Sequence, residues 1–198
     1  MTITASLVKD LRERTGAGMM ECKKALGEAN GNINQAIDVL RKQGMSRASS
    51  KAGREVRQGL VHAYIHPGDQ LGVLIEVDCE TDFVARTDEF RDLVRNLAMQ
   101  AAATNAQAVD RGGLDGSVIE RERAILMEQA KTSGKPEAIL AKIVDGKIEK
   151  YYEEICLLEQ PYIRDSERKV KDLVDQMIAK LGENIIVRRF TKFRIGDA

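Results

Sequence analysis

The chain has 198 residues, of which 43% are apolar and 31% are charged, and this composition is typical of a folded globular protein. Its 31 basic residues balance 31 acidic residues, it contains no tryptophan, and only 4% of its residues are aromatic. A general nucleic-acid-binding protein needs a basic field and aromatic stacking surfaces, so the composition argues against direct nucleic-acid binding.

Three short helices are predicted at the N-terminus. Apolar residues recur at helical spacing in three segments between residues 5 and 44, and the third segment follows Asn32, a good N-cap residue. The breakers T-G-A-G at 15–18 and N-G-N at 30–32 separate these segments. We therefore predict a three-helix module over residues 1–45.

A linker is predicted over residues 46–58, where Ser, Gly and basic residues predominate and part of the segment has helical character. A second domain, residues 59–198, follows it. This domain begins with two strand-like runs at 59–66 and 71–79, joined by P-G-D-Q, which predict an antiparallel hairpin.

The next helix is predicted from about residue 88, after a polar joint at the end of the second strand. Asp88 and Glu89 favour the positive end of this helix. Six residues form its predicted core stripe: Phe90, Leu93, Val94, Leu97, Ala98 and Ala101.

A helical hairpin is predicted at about 117–156. The capping box S-V-I-E at 117–120 starts its first helix, and Pro136 suits the first turn of its second helix. The apolar stripe of the second helix comprises Ile139, Leu140, Ile143, Val144, Ile148, Tyr152 and Ile155.

The last predicted helix is capped by Asp165 or Ser166 and ends at Gly182. A final strand at 185–195 alternates β-branched and aromatic residues with Arg and Lys, which indicates a wet face or a sheet edge. The fold class is therefore α+β, with a small antiparallel sheet packed against helices and a projecting helical hairpin. The stripe of the last helix comprises Val170, Leu173, Val174, Met177, Ile178 and Leu181.

The sequence contains no motif for a cofactor. The segment S-G-K-P at 133–136 lacks the first glycine and the hydroxyl of a P-loop, and G-A-G-M-M at 16–20 follows a helix instead of a strand. The N-terminus lacks a signal-peptide pattern, and no apolar stretch approaches the roughly 20 residues that cross a bilayer. We expect a cytoplasmic protein with no cofactor and no membrane contact.

Metal binding and covalent catalysis have little support. Cys22, Cys79 and Cys156 lie far apart without a C-x-x-C pair, so we expect them to be reduced and mostly buried. His62 and His66 share one face of a strand, but no cluster of ligands accompanies them, and surface histidines beside a turn are the favoured interpretation. A nucleophilic pair of Cys79 with either histidine is a weaker hypothesis, because nothing marks an oxyanion hole.

Three apolar side chains have the character of a contact surface. Met19 and Met20 begin a helix, and Phe83 follows Asp82 directly in the polar joint. Each also has a simpler interpretation: the methionines could fill gaps in a small helical core, and Phe83 could fold under its own hairpin. Taken singly, each residue favours the simpler interpretation.

Two segments resemble the signature segments of the elongation factor Ts family: L-V-K-D-L-R-E-R-T-G-A-G-M-M-E-C-K-K-A-L at 7–26 and C-E-T-D-F-V-A-R at 79–86. The resemblance continues through S-G-K-P at 133–136, L-L-E-Q-P-Y-I at 157–163 and G-E-N-I-I-V-R-R-F at 182–190, and so covers nearly the whole chain. It implies a guanine-nucleotide exchange factor for elongation factor Tu, without covalent catalysis.

The resemblance also implies roles for individual residues. The Asp-Phe pair of the family, here Asp82 and Phe83, inserts between helices of elongation factor Tu near its magnesium and phosphate site. The three helices resemble a ubiquitin-associated module that docks on the nucleotide-binding domain of the same partner. The remaining residues that the resemblance places at the partner are Thr81, Val84, Met19, Met20 and Lys23.

Longer members of the family carry two core halves and a second hairpin with a histidine that reaches toward the phosphate loop of the partner. This chain has one hairpin, whose tip residue His66 resembles that histidine. Short members of the family are dimers, so we expect a homodimer in which one protomer supplies the Asp-Phe pair and the other the histidine. The strand at 185–195 is the predicted dimer interface.

Two alternative hypotheses compete with the exchange factor. The chain could be an adaptor that uses the three helices to bind an unrelated partner, for example a ubiquitin-like protein. An enzyme of unknown class, based on Cys79 and the histidines, is the third hypothesis. Acceleration of GDP release from elongation factor Tu by catalytic amounts of the chain separates the exchange factor from the adaptor.

Overall fold

The structure is a computed structural model that describes residues 3–132 and 136–197. It confirms the α+β class.

The three predicted N-terminal helices are present as α1 (Ala5–Thr15), α2 (Met19–Glu28) and α3 (Ile33–Lys51). The Asn32 side chain accepts a hydrogen bond from the Gln35 backbone N–H at 3.1 Å and caps α3, as predicted. Helix α3 continues to Lys51 and so includes the first part of the segment predicted to be a linker. The buried core of the three helices comprises Val8, Leu11, Cys22, Ala25, Leu26, Ala29 and Ala36.

Three strands form the larger sheet: β1 (Gln58–Ile65), β2 (Leu71–Cys79) and β5 (Ile185–Arg194). Their order is β1-β2-β5, so β2 is central and β5 lies at an edge, as its alternating charges predicted. Strand β2 buries Val73, Ile75, Val77 and Cys79 on one face.

Two helices follow β2: the single turn α4 (Asp82–Ala85) and the longer α5 (Asp88–Ala103). The predicted stripe of α5 is confirmed, because each of its six residues is buried. Phe90 is the largest of the fully buried side chains and fixes the start of α5.

The helical hairpin consists of α6 (Gly116–Lys131) and α7 (Glu137–Ile155). The predicted cap at Ser117 is wrong by two positions: Asp115 is the N-cap, and its carboxylate accepts a hydrogen bond from the Ser117 N–H at 3.0 Å. Helix α7 begins directly after Pro136, whereas Ser133 to Lys135 of the S-G-K-P segment lie outside the described residues. The buried core of the hairpin comprises Leu126, Ala130, Leu140, Val144 and Ile148, and Ile139 of the predicted stripe is exposed.

The predicted cap of the last helix is wrong. Asp165 lies in strand β4 (Asp165–Lys169), which pairs antiparallel with β3 (Pro161–Tyr162), and Ser166 lies in the same strand. Helix α8 (Val170–Leu181) begins only after this ladder, and it ends at Gly182, as predicted. Gly182 has a φ of +79° and donates its N–H to the Ile178 carbonyl at 2.9 Å, a conformation that glycine adopts without strain.

The chain forms two compact units. The first contains Met1–Gly59, Asp78–Leu93 and Asp172–Ile186, and the second contains Leu60–Val77, Val94–Lys171 and Val187–Ala198. The three N-terminal helices, α4 and most of α8 thus belong to the first unit, and the helical hairpin belongs to the second. Among the described residues, no helix is long and apolar enough to cross a membrane.

A candidate partner-binding surface

The joint after β2 folds into α4, a single helical turn that carries the T-D-F-V segment. Thr81 is its N-cap, and the Thr81 hydroxyl accepts a hydrogen bond from the Val84 N–H at 3.4 Å. Asp82 stands in the first turn, where a carboxylate is favourable, and lies 2.9 Å from the Arg86 guanidinium. The local sequence therefore supplies the cap and the first-turn carboxylate of the turn.

Phe83 points away from the core of its own chain. Its side chain is 81% exposed, so the alternative that Phe83 folds under its own hairpin is wrong. Ala85 of the same turn is buried, and Val84 is half-buried. The turn is thus anchored on one side and presents a large aromatic ring to solvent on the other.

Glu183 holds the base of this turn. Its carboxylate accepts hydrogen bonds from the backbone N–H groups of Glu80 at 3.1 Å and Thr81 at 3.0 Å, and from the Thr81 hydroxyl at 2.6 Å. Glu183 was not among the site residues predicted from the sequence. The one available signal was its place in G-E-N-I-I-V-R-R-F at 182–190, which by itself does not indicate a contact with the joint.

Cys79 lies beneath the same joint and is fully buried. Its thiol donates a hydrogen bond to the Thr81 carbonyl at 3.2 Å. Burial, and then the nearby Glu183 carboxylate, raise the pKa of Cys79 to about 11. A buried thiol that stays protonated at neutral pH is a poor nucleophile, which removes the basis for the enzyme hypothesis.

The start of α2 carries the second predicted contact. Met19 is 48% exposed and Met20 is 75% exposed, so neither fills the helical core, and Lys23 is exposed as well. The Glu21 carboxylate accepts hydrogen bonds from the Gly18 N–H at 3.2 Å and from the Arg47 guanidinium. The Arg47 hydrogen bond holds the pKa of Glu21 below its ordinary value, so the ion pair that ties α2 to α3 is present at neutral pH.

His66 stands at the tip of the β1-β2 hairpin and is exposed. The Tyr64 hydroxyl lies 3.0 Å from its Nδ1. The turn is closed by hydrogen bonds from the His66 N–H to the Leu71 carbonyl at 2.8 Å and from the Asp69 N–H to the His66 carbonyl at 3.0 Å. His66 is therefore presented to solvent at the hairpin tip, with its Nδ1 atom beside the Tyr64 hydroxyl.

The predicted site residues divide between the two units. Thr81, Asp82, Phe83 and Val84 are consecutive in the α4 turn, and Met19, Met20 and Lys23 lie on α2 of the same unit. His66 belongs to the second unit. Among the residues that the structure describes, no group of three or more His, Cys, Asp or Glu side chains is placed to hold a metal ion.

Comparison with known proteins identifies close relatives. A sequence model of the Elongation factor TS family matches residues 32–177. Elongation factor Ts of Thermoanaerobacter sp. (strain X514) is 57% identical over 195 residues, covering 98% of this chain and 96% of that protein. Elongation factor Ts of Moorella thermoacetica is 56% identical, with the same coverage of both chains. Elongation factor Ts of Oleidesulfovibrio alaskensis is 56% identical over 194 residues, covering 98% of each chain.

Proposed function

Because the chain belongs to the elongation factor Ts family, we propose that it is a guanine-nucleotide exchange factor that binds elongation factor Tu·GDP and promotes release of GDP. Its place of action is the cytoplasm, where translation elongation occurs. The observation that carries the mechanism is the exposed ring of Phe83 on a turn that is anchored at its other side.

The proposed mechanism is insertion of Asp82 and Phe83 beside the magnesium and phosphate site of the partner. Burial of a Phe side chain contributes about 1.5 to 3 kcal/mol. If this contact forms only when the magnesium site is displaced, it weakens nucleotide binding by the same free energy, roughly ten- to a hundredfold. Incoming GTP then expels the exchange factor by the reciprocal coupling.

The other predicted residues have supporting roles in binding. Thr81 and Val84 flank the inserted pair, one as its cap and the other as its half-buried neighbour. Met19, Met20 and Lys23 dock the three-helix module on the nucleotide-binding domain of elongation factor Tu. The exposure of both methionines on the first turn of α2 supports this assignment, because exposed neighbouring methionines adapt well to a partner surface.

We assign the phosphate-side role to His66 of a second protomer, so the working exchange factor is a homodimer. The outer face of the larger sheet supports this. It exposes five large apolar side chains, which is unusual for a monomer surface in contact with water. These residues are Val61, Ile65, Leu74, Phe193 and Ile195.

The charges on this face also favour a second copy of the chain. Asp69 and Arg194 both line its shallow groove, whose volume is about 460 Å³. In a two-fold contact, a residue of one protomer meets a different residue of the other protomer, and the same contact occurs twice. A face that carries both Asp69 and Arg194 can therefore be complementary to itself. The neighbouring side chains of Arg189 and Glu76 form an ion pair, with 2.6 Å between Nε and Oε2, and so neutralise each other.

The decisive experiment is release of fluorescent GDP from elongation factor Tu, with the exchange factor present at a small fraction of the partner concentration. The proposal predicts that each molecule of the chain releases many molecules of GDP. An adaptor would bind without accelerating release. Binding without any acceleration would therefore contradict the exchange function and favour the adaptor.

A further inference from the structure

The segment directly before the Asp82-Phe83 pair is held by a hydrogen-bonded cluster that we call the clasp, formed by Glu80, Thr81, Glu183 and Asn184. The Glu183 carboxylate accepts the three bonds described above, all from Glu80 and Thr81. In return, a Glu80 carboxylate oxygen accepts a hydrogen bond from the Asn184 N–H at 2.6 Å. Two segments that are 102 positions apart, at Thr81 and Glu183, thus hold each other reciprocally.

Two contacts with Arg54 hold the clasp in place. The Asn184 side chain is buried and donates from Nδ2 to the Arg54 carbonyl at 2.9 Å. The Arg54 guanidinium lies 3.6 Å from the Glu80 carboxylate. On the other side, Gly182 ends α8, so that Glu183 leaves the helix and faces the joint.

The turn that carries Phe83 needs such support. Helices shorter than about 12 residues are marginal on their own, and α4 has four residues. The exposed Phe83 ring adds no packing that would hold the turn in one orientation. One hydroxyl connects the clasp to the turn, because Thr81 donates to Glu183 and accepts from the Val84 N–H.

The geometry points to Glu183 as a positioning residue that holds the T-D-F-V turn in the orientation in which Phe83 enters the partner. This inference rests on the proposed exchange function. An inserted group that is already oriented loses less conformational entropy on binding than a mobile one. Glu183 itself touches neither the partner nor the nucleotide in this mechanism.

Glu183→Gln removes the charge of Glu183 and keeps the shape of the side chain. Because charge-assisted hydrogen bonds are about twice as strong as neutral ones, we expect exchange per folded molecule to fall by about tenfold. Glu89→Gln is the matched control, since Glu89 is an exposed carboxylate in the same unit whose partner is Lys180. We expect this control to exchange at the rate of the wild type.

Two further comparisons separate positioning from a purely structural role. The double variant Glu183→Gln with Phe83→Ala should lose less than the product of the two single losses, because only Asp82 is left for the clasp to orient once the ring is gone. Thr81→Ser keeps the hydroxyl and should lose less exchange than Thr81→Val, which removes both the hydrogen bond to Glu183 and the cap of the turn.

The measurements are stopped-flow release of fluorescent GDP from elongation factor Tu, with the folded fraction of each variant taken from circular dichroism at the assay temperature. A normal rate for Glu183→Gln, an additive double variant, or equal rates for Thr81→Ser and Thr81→Val would each overturn the inference. If Glu183→Gln does not fold, the two Thr81 variants decide alone. Failure of the exchange function is distinct, because the wild type would then not accelerate GDP release at all.

Discussion

Phe83 and Phe90, in the neighbouring helices α4 and α5, occupy opposite environments: the Phe83 side chain is 81% exposed and the Phe90 side chain is 0% exposed. The two residues are chemically identical and lie in the same compact unit. Phe90 packs the start of α5 into the core, whereas Phe83 has no core position in its own chain. The pair therefore serves as an internal comparison between stability and partner binding.

Substitution of each phenylalanine by alanine should have opposite consequences. Phe90→Ala should lower the free energy of unfolding by about 3 to 5 kcal/mol, as expected for a deleted core Phe. Phe83→Ala should leave the unfolding midpoint nearly unchanged and slow GDP release by about tenfold or more. Thermal unfolding and stopped-flow exchange measure the two effects. Equal destabilisation by both variants would place Phe83 in the core and contradict the insertion mechanism.

Asp82 should act in the same direction as Phe83. Its ion pair with Arg86 is largely exposed, and such pairs contribute about 0.2 to 1 kcal/mol. Asp82→Ala should therefore change stability little and slow exchange. Arg86→Ala is the control, because it breaks the same ion pair and keeps the carboxylate. If Arg86→Ala slows exchange as much as Asp82→Ala, the ion pair itself, and not a contact of the carboxylate with the partner, is what matters.

Local patterns in the sequence predicted most of the fold. The buried stripe of α5, which begins at Phe90, could be predicted because helical periodicity is a local property of the sequence. The end of α8 could be predicted because glycine, here Gly182, readily adopts the conformation that ends a helix. Where several good caps stand close together, local chemistry does not choose between them: Asp115, not Ser117, caps α6. At Asp165, the pairing of β3 with β4 overrides the capping preference of the residue.

The candidate site was predictable only in part. The exposure of Phe83 followed from its polar setting together with the family resemblance. The role of Glu183 did not, because its hydrogen bonds to Thr81 join positions 102 residues apart. A local sequence pattern does not indicate which distant residues will pair, whereas the folded chain brings the Glu183 carboxylate and Thr81 together at one joint.

Removal of the three N-terminal helices tests whether they form a separate docking module. Among the described residues, their buried core cluster lies between Val8 and Ala36, although the same compact unit also contains most of α8. We expect a chain without residues 1–51 to stay folded and to bind elongation factor Tu more weakly. The cut keeps Arg54, whose carbonyl accepts from Asn184.

The same deletion removes the Arg41 partner of Asp172, so a small loss of stability is expected as well. Met20→Ala provides a milder comparison, since this exposed side chain can be shortened without disturbing the core. Affinity is measured by titration calorimetry and folding by circular dichroism. A truncated chain that aggregates or loses its secondary structure would contradict the division into module and core.

The proposed dimer makes a prediction about mass. Phe193→Glu places a charge in the exposed apolar face and should convert the dimer to a monomer, which analytical ultracentrifugation detects. Ile125→Glu is the matched control, because Ile125 is an exposed apolar residue of α6 outside that face. A wild type that is monomeric at the assay concentration and fully active would contradict the two-protomer mechanism.

The division of labour between protomers can be tested by mixing. His66→Ala should slow exchange moderately and leave the mass unchanged. In a heterodimer of the two variants, the Phe83→Ala protomer keeps His66 and the His66→Ala protomer keeps Phe83. One pair of intact residues is therefore supplied by different protomers. Mixing should therefore restore part of the activity that each parent lacks. A mixture that is only the average of its parents would show that both residues act from one protomer.

Cys79 predicts a pH dependence of stability that reports on the joint. Burial, and then the Glu183 carboxylate, raise its pKa from 9.0 to about 11 in the folded chain. Between these values the unfolded chain releases the thiol proton and the folded chain retains it, so the free energy of unfolding must fall as pH rises. Below the unfolded pKa this contribution is fully present, and it is lost as pH approaches the folded pKa.

Urea unfolding of the wild type and of Cys79→Ala, between about pH 8 and about pH 10, isolates the thiol from other groups that titrate there. The stability difference between the two should shrink with rising pH. A difference independent of pH would show that the thiol does not stay protonated beneath the Thr81 carbonyl.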